Sequence, residues 1–363
     1  MSAPELAAAH SFAEDWREAL EACLSGLSVP AGANLGFVYF SDRYSQDADA
    51  ILRRLREATA IDEWVGSVGI GICGGGDARV DGGGIAVLVG RFDRASFRVF
   101  SGRQPLVGAG ASPYFAVVHA DPHTPDMPDL VADMAGKVSS GFITGGMSSA
   151  REATLQIANG VLSGGISGVA FTAAVAVATR LSQGCSPLPG RYVITQAERN
   201  VIGTLDHRPA LDVYKEAVGE VLARDLARAA HYVLAGLPVP GREAGDYLVR
   251  NVIGIDPKNG LIAINETVEP GRQLLFVRRD GNAARDDLRR MLTELRDALP
   301  SPPKGGLYFS CLGRGGNMFG DDSVEPQMIR DTFGDIPLAG FFCNGEISHD
   351  QLYGYTGVLT LFL

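Results

Sequence analysis

Along this chain, short unbroken apolar runs alternate with stretches of helical period. Phe37-Val38-Tyr39-Phe40 is an unbroken run, the pattern of a strand buried on both faces. Leu20, Cys23, Leu24 and Leu27 recur at helical spacing, and Ser11 with Glu14 forms a capping box ahead of them. A helix is predicted there, ended by Val29-Pro30-Ala31-Gly32. Ile51, Leu52 and Leu55 place a second helix over 48–58. Trp64 to Cys73 and Ile85 to Val89 read as strands, separated by glycine turns at 74–76 and 82–84. Tyr114 to His119, Gly141 to Thr144 and two runs between 160 and 177 read as further strands, with a short helix around Leu130 to Met134. Tyr192 to Thr195 and Val201 to Leu205 form a hairpin around Glu198-Arg199-Asn200. A long helix is predicted from Asp206–Pro209 to Leu237, then a strand meander over 247–278 and an amphipathic helix over 285–299, stopped by Pro300, Pro302 and Pro303.

The end of the chain repeats its beginning. Phe37-Val38-Tyr39-Phe40-Ser41 matches Gly306-Leu307-Tyr308-Phe309-Ser310, and Gly71-Ile72-Cys73-Gly74-Gly75 matches Phe341-Phe342-Cys343-Asn344-Gly345. The spacing from Ser41 to Cys73 is ~32 positions and from Ser310 to Cys343 ~33, which marks an internal repeat. Ala116-Val117-Val118 to Thr144-Gly145-Gly146 is a looser copy. The unit reads as strand, helix, strand, tight turn, strand. Glycine turns favour antiparallel pairing, so the expected fold is α+β: two related domains of mainly antiparallel sheets covered by helices. The expected divisions are an N-terminal helix over 1–35, a first domain over 36–205 and a second over 206–363.

Composition narrows the function. The 363 residues carry 42 acidic against 32 basic side chains, a net charge of -10, with no basic cluster to neutralise phosphates; nucleic acid is not an expected partner. The most apolar stretch, Gly168 to Leu181, is shorter than the roughly 20 residues a membrane helix needs, and no signal peptide is visible, so the expected location is cytoplasmic and without membrane association. Five dispersed cysteines form neither a zinc ribbon nor a disulfide framework. Gly69, Gly71 and Gly74 match G-x-G-x-x-G, but the turn leads to a strand and not a helix, which excludes a dinucleotide site. Motifs of serine hydrolases, zinc proteases, P-loop proteins and kinases are absent.

The sharpest polar cluster is Ser310-Cys311-Leu312-Gly313-Arg314-Gly315-Gly316. A guanidinium on such a loop can grip a carboxylate, and Glu346, after Asn344-Gly345, can receive an ammonium; the alternative is an ion pair pinning two loops. Arg250 interrupts an apolar strand and needs a partner or a ligand. Gly145 and Gly146 end a strand in the looser copy, where backbone can approach a ligand. His119 with His123 makes a weak metal pair, so no metal is expected. His349 lies near a turn as a candidate haem ligand, and Cys311 with Cys343 as a candidate thiol pair.

The run Phe309 to Gly315, followed by Pro337 to Ile347, resembles the C-terminal FIST domain (F-box and intracellular signal transduction). Val68 to Gly75, Gly145-Gly146-Met147-Ser148-Ser149 and 184–195 are similar to its N-terminal partner, and 205–211 to the junction between them. The resemblance implies a sensory module for small ligands such as amino acids, and some relatives are haem proteins that sense nitric oxide. The expectation is therefore a non-enzymatic ligand-binding sensor, without cofactor, that reports to a separate signalling protein. The ligand site is placed at Ser310, Cys311, Arg314, Asn344, Glu346, Arg250, Gly145 and Gly146. A haem or thiol redox sensor, an interaction scaffold, an enzyme and a homo-oligomer stay open.

Overall fold

The computed structural model describes residues 5–106, 112–240 and 246–363. The chain forms two compact units, 1–182 with 286–363, and 183–285. The class is α+β, with four sheets among the described residues.

The larger unit is built from three copies of one β-α-β element. They are Leu35–Ser41, Ala48–Thr59 and Glu63–Gly69; Phe115–Ala120, Met127–Gly136 and Phe142–Met147; and Gly305–Cys311, Val324–Phe333 and Leu338–Cys343. In each copy the two strands are parallel neighbours, a pairing that needs the helix as its crossover. The looser middle copy is thus a full member of the repeat.

Strands are exchanged around a ring. After Glu63–Gly69 the chain does not stay in its own sheet. Gly71–Gly74 pairs with Leu338–Cys343 of the third copy. Likewise Gln156–Ala158, following the second copy, pairs with Glu63–Gly69 of the first. Glu346–Ser348, following the third, pairs with Phe142–Met147 of the second. Each copy then returns a strand to its own sheet: Ile85–Arg91, Ile166–Phe171 and Thr356–Phe362, each antiparallel to the first strand of its copy. The outer edges are Glu5–Ser11, Phe97–Phe100 and Val177–Gln183. Three six-stranded mixed sheets result, related by a cyclic pattern.

One glycine position shows the equivalence most sharply. A Cβ at Gly66, Gly145 or Gly340 would stand 1.8 Å from the carbonyl oxygen of Val38, Val118 or Tyr308 respectively. These are matching positions on the parallel strands of the three copies, so in each the backbones approach too closely for any side chain. The inner faces of the sheets enclose a core that includes Phe37, Tyr39, Phe115, Val117, Leu307, Phe309, Phe341 and Phe362.

The smaller unit is an antiparallel sheet, in the order Tyr247–Arg250, Val233–Pro238, Gln273–Arg279, Tyr192–Glu198, Val201–Leu205, Leu261–Ile264 and Val252–Asp256. Helices Ala210–Leu222 and Leu226–Tyr232 accompany it, with Ala210, Leu211, Val213 and Tyr214 buried. The hairpin at Glu198-Arg199-Asn200 is as expected, with Arg199 left-handed at φ 53.

Two sequence expectations are corrected. Residues 5–11 form a strand because they pair along the full length of Ile85–Arg91, which overrides the capping box at Ser11; the helix is Trp16–Gly26, capped by Asp15, whose side chain accepts from the amides of Arg17 and Glu18. The long helix to Leu237 breaks at Gly219, which sits at φ 80 and ψ 162, and at the Asp225 cap; its tail becomes the Val233–Pro238 strand. By chain contacts the larger unit is discontinuous, with its third repeat arriving after residue 286, and residue 205 lies within the smaller unit.

Candidate functional site

The loop after Gly305–Cys311 folds back at once: the Arg314 amide donates to the Cys311 carbonyl at 2.8 Å, and Gly315 is left-handed at φ 51. The turn drives Arg314 inward, where it is wholly buried. Its Nε donates to Glu325 Oε1 at 2.8 Å and its Nη2 lies 2.7 Å from the same oxygen. Glu325, equally buried, is held in the first turn of Val324–Phe333 and also accepts from the Tyr308 hydroxyl at 2.6 Å and Ser310 Oγ at 2.7 Å. Arg314 Nη1 makes only long contacts, 3.4 Å each to the carbonyls of Ser182 and Tyr355. The Phe319 ring lies beside the guanidinium, with its centroid 5.2 Å from Cζ.

Glu346 stands at the start of the strand donated to Phe142–Met147, opposite Gly146. It is also wholly buried. Its Oε2 accepts from Thr356, from the amide at 3.1 Å and Oγ1 at 2.7 Å; its Oε1 has no hydrogen-bond partner among the described residues. Burial pushes this carboxyl up to about 8, outweighing the opposing pull of Thr356 and Arg314. Near pH 7 Glu346 is therefore mostly a neutral acid that can donate as well as accept.

His119 lies in the same row. Its Nε2 pairs with the Tyr39 hydroxyl at 3.2 Å, and Nδ1 has no partner among the described residues. Burial pushes its pKa down to about 3, so the ring is neutral. The Cys343 thiol fills the space above Gly146; a Cβ there would lie 2.2 Å from Sγ. Cys311 and Cys343 are register partners on parallel strands, and Cys73 belongs to the neighbouring strand. Burial pushes all three thiols well above their ordinary range, so they stay protonated.

The structure brings Ser310, Cys311, Arg314, Glu346, Gly145 and Gly146 into the larger unit. Arg314 is paired with Glu325 and not with Glu346, whose carboxyl has Thr356 as its only hydrogen-bond partner among the described residues. Asn344 is exposed, its amide donating to the Met147 carbonyl at 3.1 Å. Arg250 lies in the smaller unit, where Nε pairs with Glu266 at 2.6 Å. His349, left-handed at φ 59, has its ring edge-on to Phe142 at 4.4 Å and Nδ1 3.3 Å from Ser348 Oγ. His123 pairs with Asp121 at 3.2 Å. No group of three metal-binding side chains occurs among the described residues. Sequence reasoning missed Glu325, Tyr308, His119 as an interior group, and Thr356. One signal for Glu325 was present: it stands four residues before Ile329, on the face that the helix buries.

Comparison with known proteins divides the sequence near residue 209 and not at the edges of the two compact units. The FIST N domain matches residues 34–208 and the FIST C domain residues 210–349. An uncharacterized protein of Mycobacterium tuberculosis (strain ATCC 25618 / H37Rv) is 38% identical over 245 residues, 64% of this chain and 63% of that protein. One of Mycobacterium bovis is 33% identical over 241 residues, 64% of this chain and 62% of the relative. The match therefore spans less than two thirds of the length of these relatives. With both domain models matched in order over most of its length, the chain belongs to the FIST family.

Proposed function

We propose that this chain is a sensory protein of intracellular signal transduction that binds a small ligand, an amino acid or another small carboxylate, and passes its bound state to a separate signalling protein without catalysing a reaction. FIST domains are associated with sensing in signal transduction. The observation that carries the reading is the unpaired Oε1 of buried Glu346 in the same buried network as Arg314. An unsatisfied buried oxygen costs about 1–3 kcal/mol, a cost a ligand donor would remove. Arg314 Nη1, with only 3.4 Å contacts, has donor capacity left for a carboxylate. Both side chains are wholly buried, so a ligand reaches them only when the surrounding loops move, and binding is thereby coupled to conformation. The thiol-redox alternative has less support, because burial keeps the nearby thiols protonated.

The test is a thermal-shift screen of the intact chain against amino acids and small carboxylates, followed by titration calorimetry. A ligand at 100-fold its dissociation constant adds about 2.7 kcal/mol of stability. A hit that Glu346→Gln weakens supports the site. A panel that shifts nothing, or a hit that Glu346→Gln leaves untouched, overturns it.

A further inference from the structure

At the opposite end of the Leu338–Cys343 strand from Cys343, the larger unit opens a cleft of 240 Å³. Ala8, Ile329, Ile336, Pro337 and Leu338 give it an apolar lining, and His10, Arg330 and Asp335 add polar groups. Arg330 is in the last turn of Val324–Phe333 and is exposed. Its guanidinium lies against Gly76, where a Cβ would fall 2.3 Å from Nη1, so the glycine turn gives it room. His10 has a partner, Asp77 Oδ2 at 3.4 Å from Nε2. Arg330 has no ion pair among the described residues, and neither has Asp335.

We infer that this cleft is a second binding site, for a small monocarboxylate with a branched or aromatic apolar body. The carboxylate pairs with the open fork of Arg330 and the body covers Ile329, Ile336, Pro337 and Leu338. Size favours a small ligand, because pockets for drug-sized ligands start at roughly 300 Å³. Charge excludes others: Asp335 in the lining repels a second negative charge, which disfavours dicarboxylates and phosphates. The site goes beyond the proposal for Glu346, because it is open without any rearrangement and shares no residue with that network.

Calorimetric titration of the intact chain with 3-methylbutanoate, acetate, 3-methylbutanamide and methylsuccinate tests it. Burial of the extra methyl and methylene groups makes 3-methylbutanoate bind at least about tenfold tighter than acetate. Loss of the charge makes the amide weaker by a similar factor, and methylsuccinate also binds more weakly. Arg330→Gln, an exposed change that leaves the fold intact, lowers the affinity for 3-methylbutanoate about tenfold or more. Glu346→Gln does not change it, so failure at one site is distinguishable from failure at the other. Equal binding of acetate and 3-methylbutanoate, full binding by Arg330→Gln, or no binding up to about 10 mM overturns the inference.

Discussion

His119 and Glu346 stand in one row of the same sheet, two strands apart, with Gly146 between them. Residues in register across a sheet project from the same face, so the gap above Gly146 is bounded by an imidazole and a carboxyl, and Cys343 fills it. Each of the two polar groups has one atom without a partner among the described residues. The matching rows of the other two copies are Tyr39, Ser67 and Gln156, and Phe309, Phe341 and Ile72. One copy has become apolar, one polar and satisfied in part by Gln156 with Ser167 at 2.6 Å, and one carries the unsatisfied pair.

Glu346 sets a pH dependence of stability. Its folded pKa of about 8 lies above the ordinary value of 4.5, so between these limits the folded state holds a proton that the unfolded state has lost. Stability is then greatest below about pH 4.5 with respect to this group and falls as pH rises towards 8, by up to about 1.4 kcal/mol per pH unit. Urea unfolding at pH 5, 6.5 and 8 should show that slope in the wild type and a flatter profile in Glu346→Gln.

Arg314 and Glu325 form a wholly buried ion pair. Glu325→Gln or Arg314→Met leaves one buried charge without its counter-charge and should cost about 3–5 kcal/mol by denaturant midpoint. The double variant Arg314→Met/Glu325→Gln removes both charges and should lose less than the sum of the two single changes. Strict additivity would show that the pair is not coupled.

The three equivalent glycines can be set against one that is free. Gly66→Ala, Gly145→Ala and Gly340→Ala each drive a methyl into a neighbouring carbonyl and should abolish soluble expression or cost several kcal/mol, about 3 or more. Gly136, at the end of Met127–Gly136, has nothing within 4 Å of a Cβ, and Gly136→Ala should be neutral or stabilise by up to about 1 kcal/mol. Melting temperatures of the four variants check this.

Thiol chemistry should be silent in the native state. Cys23 and Cys73 are buried, and burial raises both, as it does Cys311 and Cys343. A disulfide reagent at pH 8 should label these four only after urea is added. Prompt labelling of Cys311 in native protein would restore the thiol reading.

Much of this was legible in the sequence, for identifiable reasons. The apolar runs at 37–40 and 306–311 announce buried strands, and the Ser41–Cys73 and Ser310–Cys343 spacings expose the repeat. Arg314 and Glu346 stood out because charges beside glycine turns at strand ends are conspicuous. What stayed hidden depends on distant pairing. Nothing local to Gly71–Gly74 says that it joins a strand some 270 residues away, and a helix-like cap at Ser11 cannot reveal that residues 5–11 have Ile85–Arg91 to pair with. Glu325 was masked because one acid among apolar neighbours looks like ordinary surface until the helix is docked.

The exchange of strands around the three copies makes the repeats indivisible. Each six-stranded sheet draws an inner strand from a different copy, so a single copy cut out as a fragment would have an unpaired edge and half a core. Unlike a stacked array, in which modules melt one by one, this ring completes its three sheets only as the last partner arrives. The larger unit should therefore fold late and all together, and a disturbance at one seam should be felt at the other two.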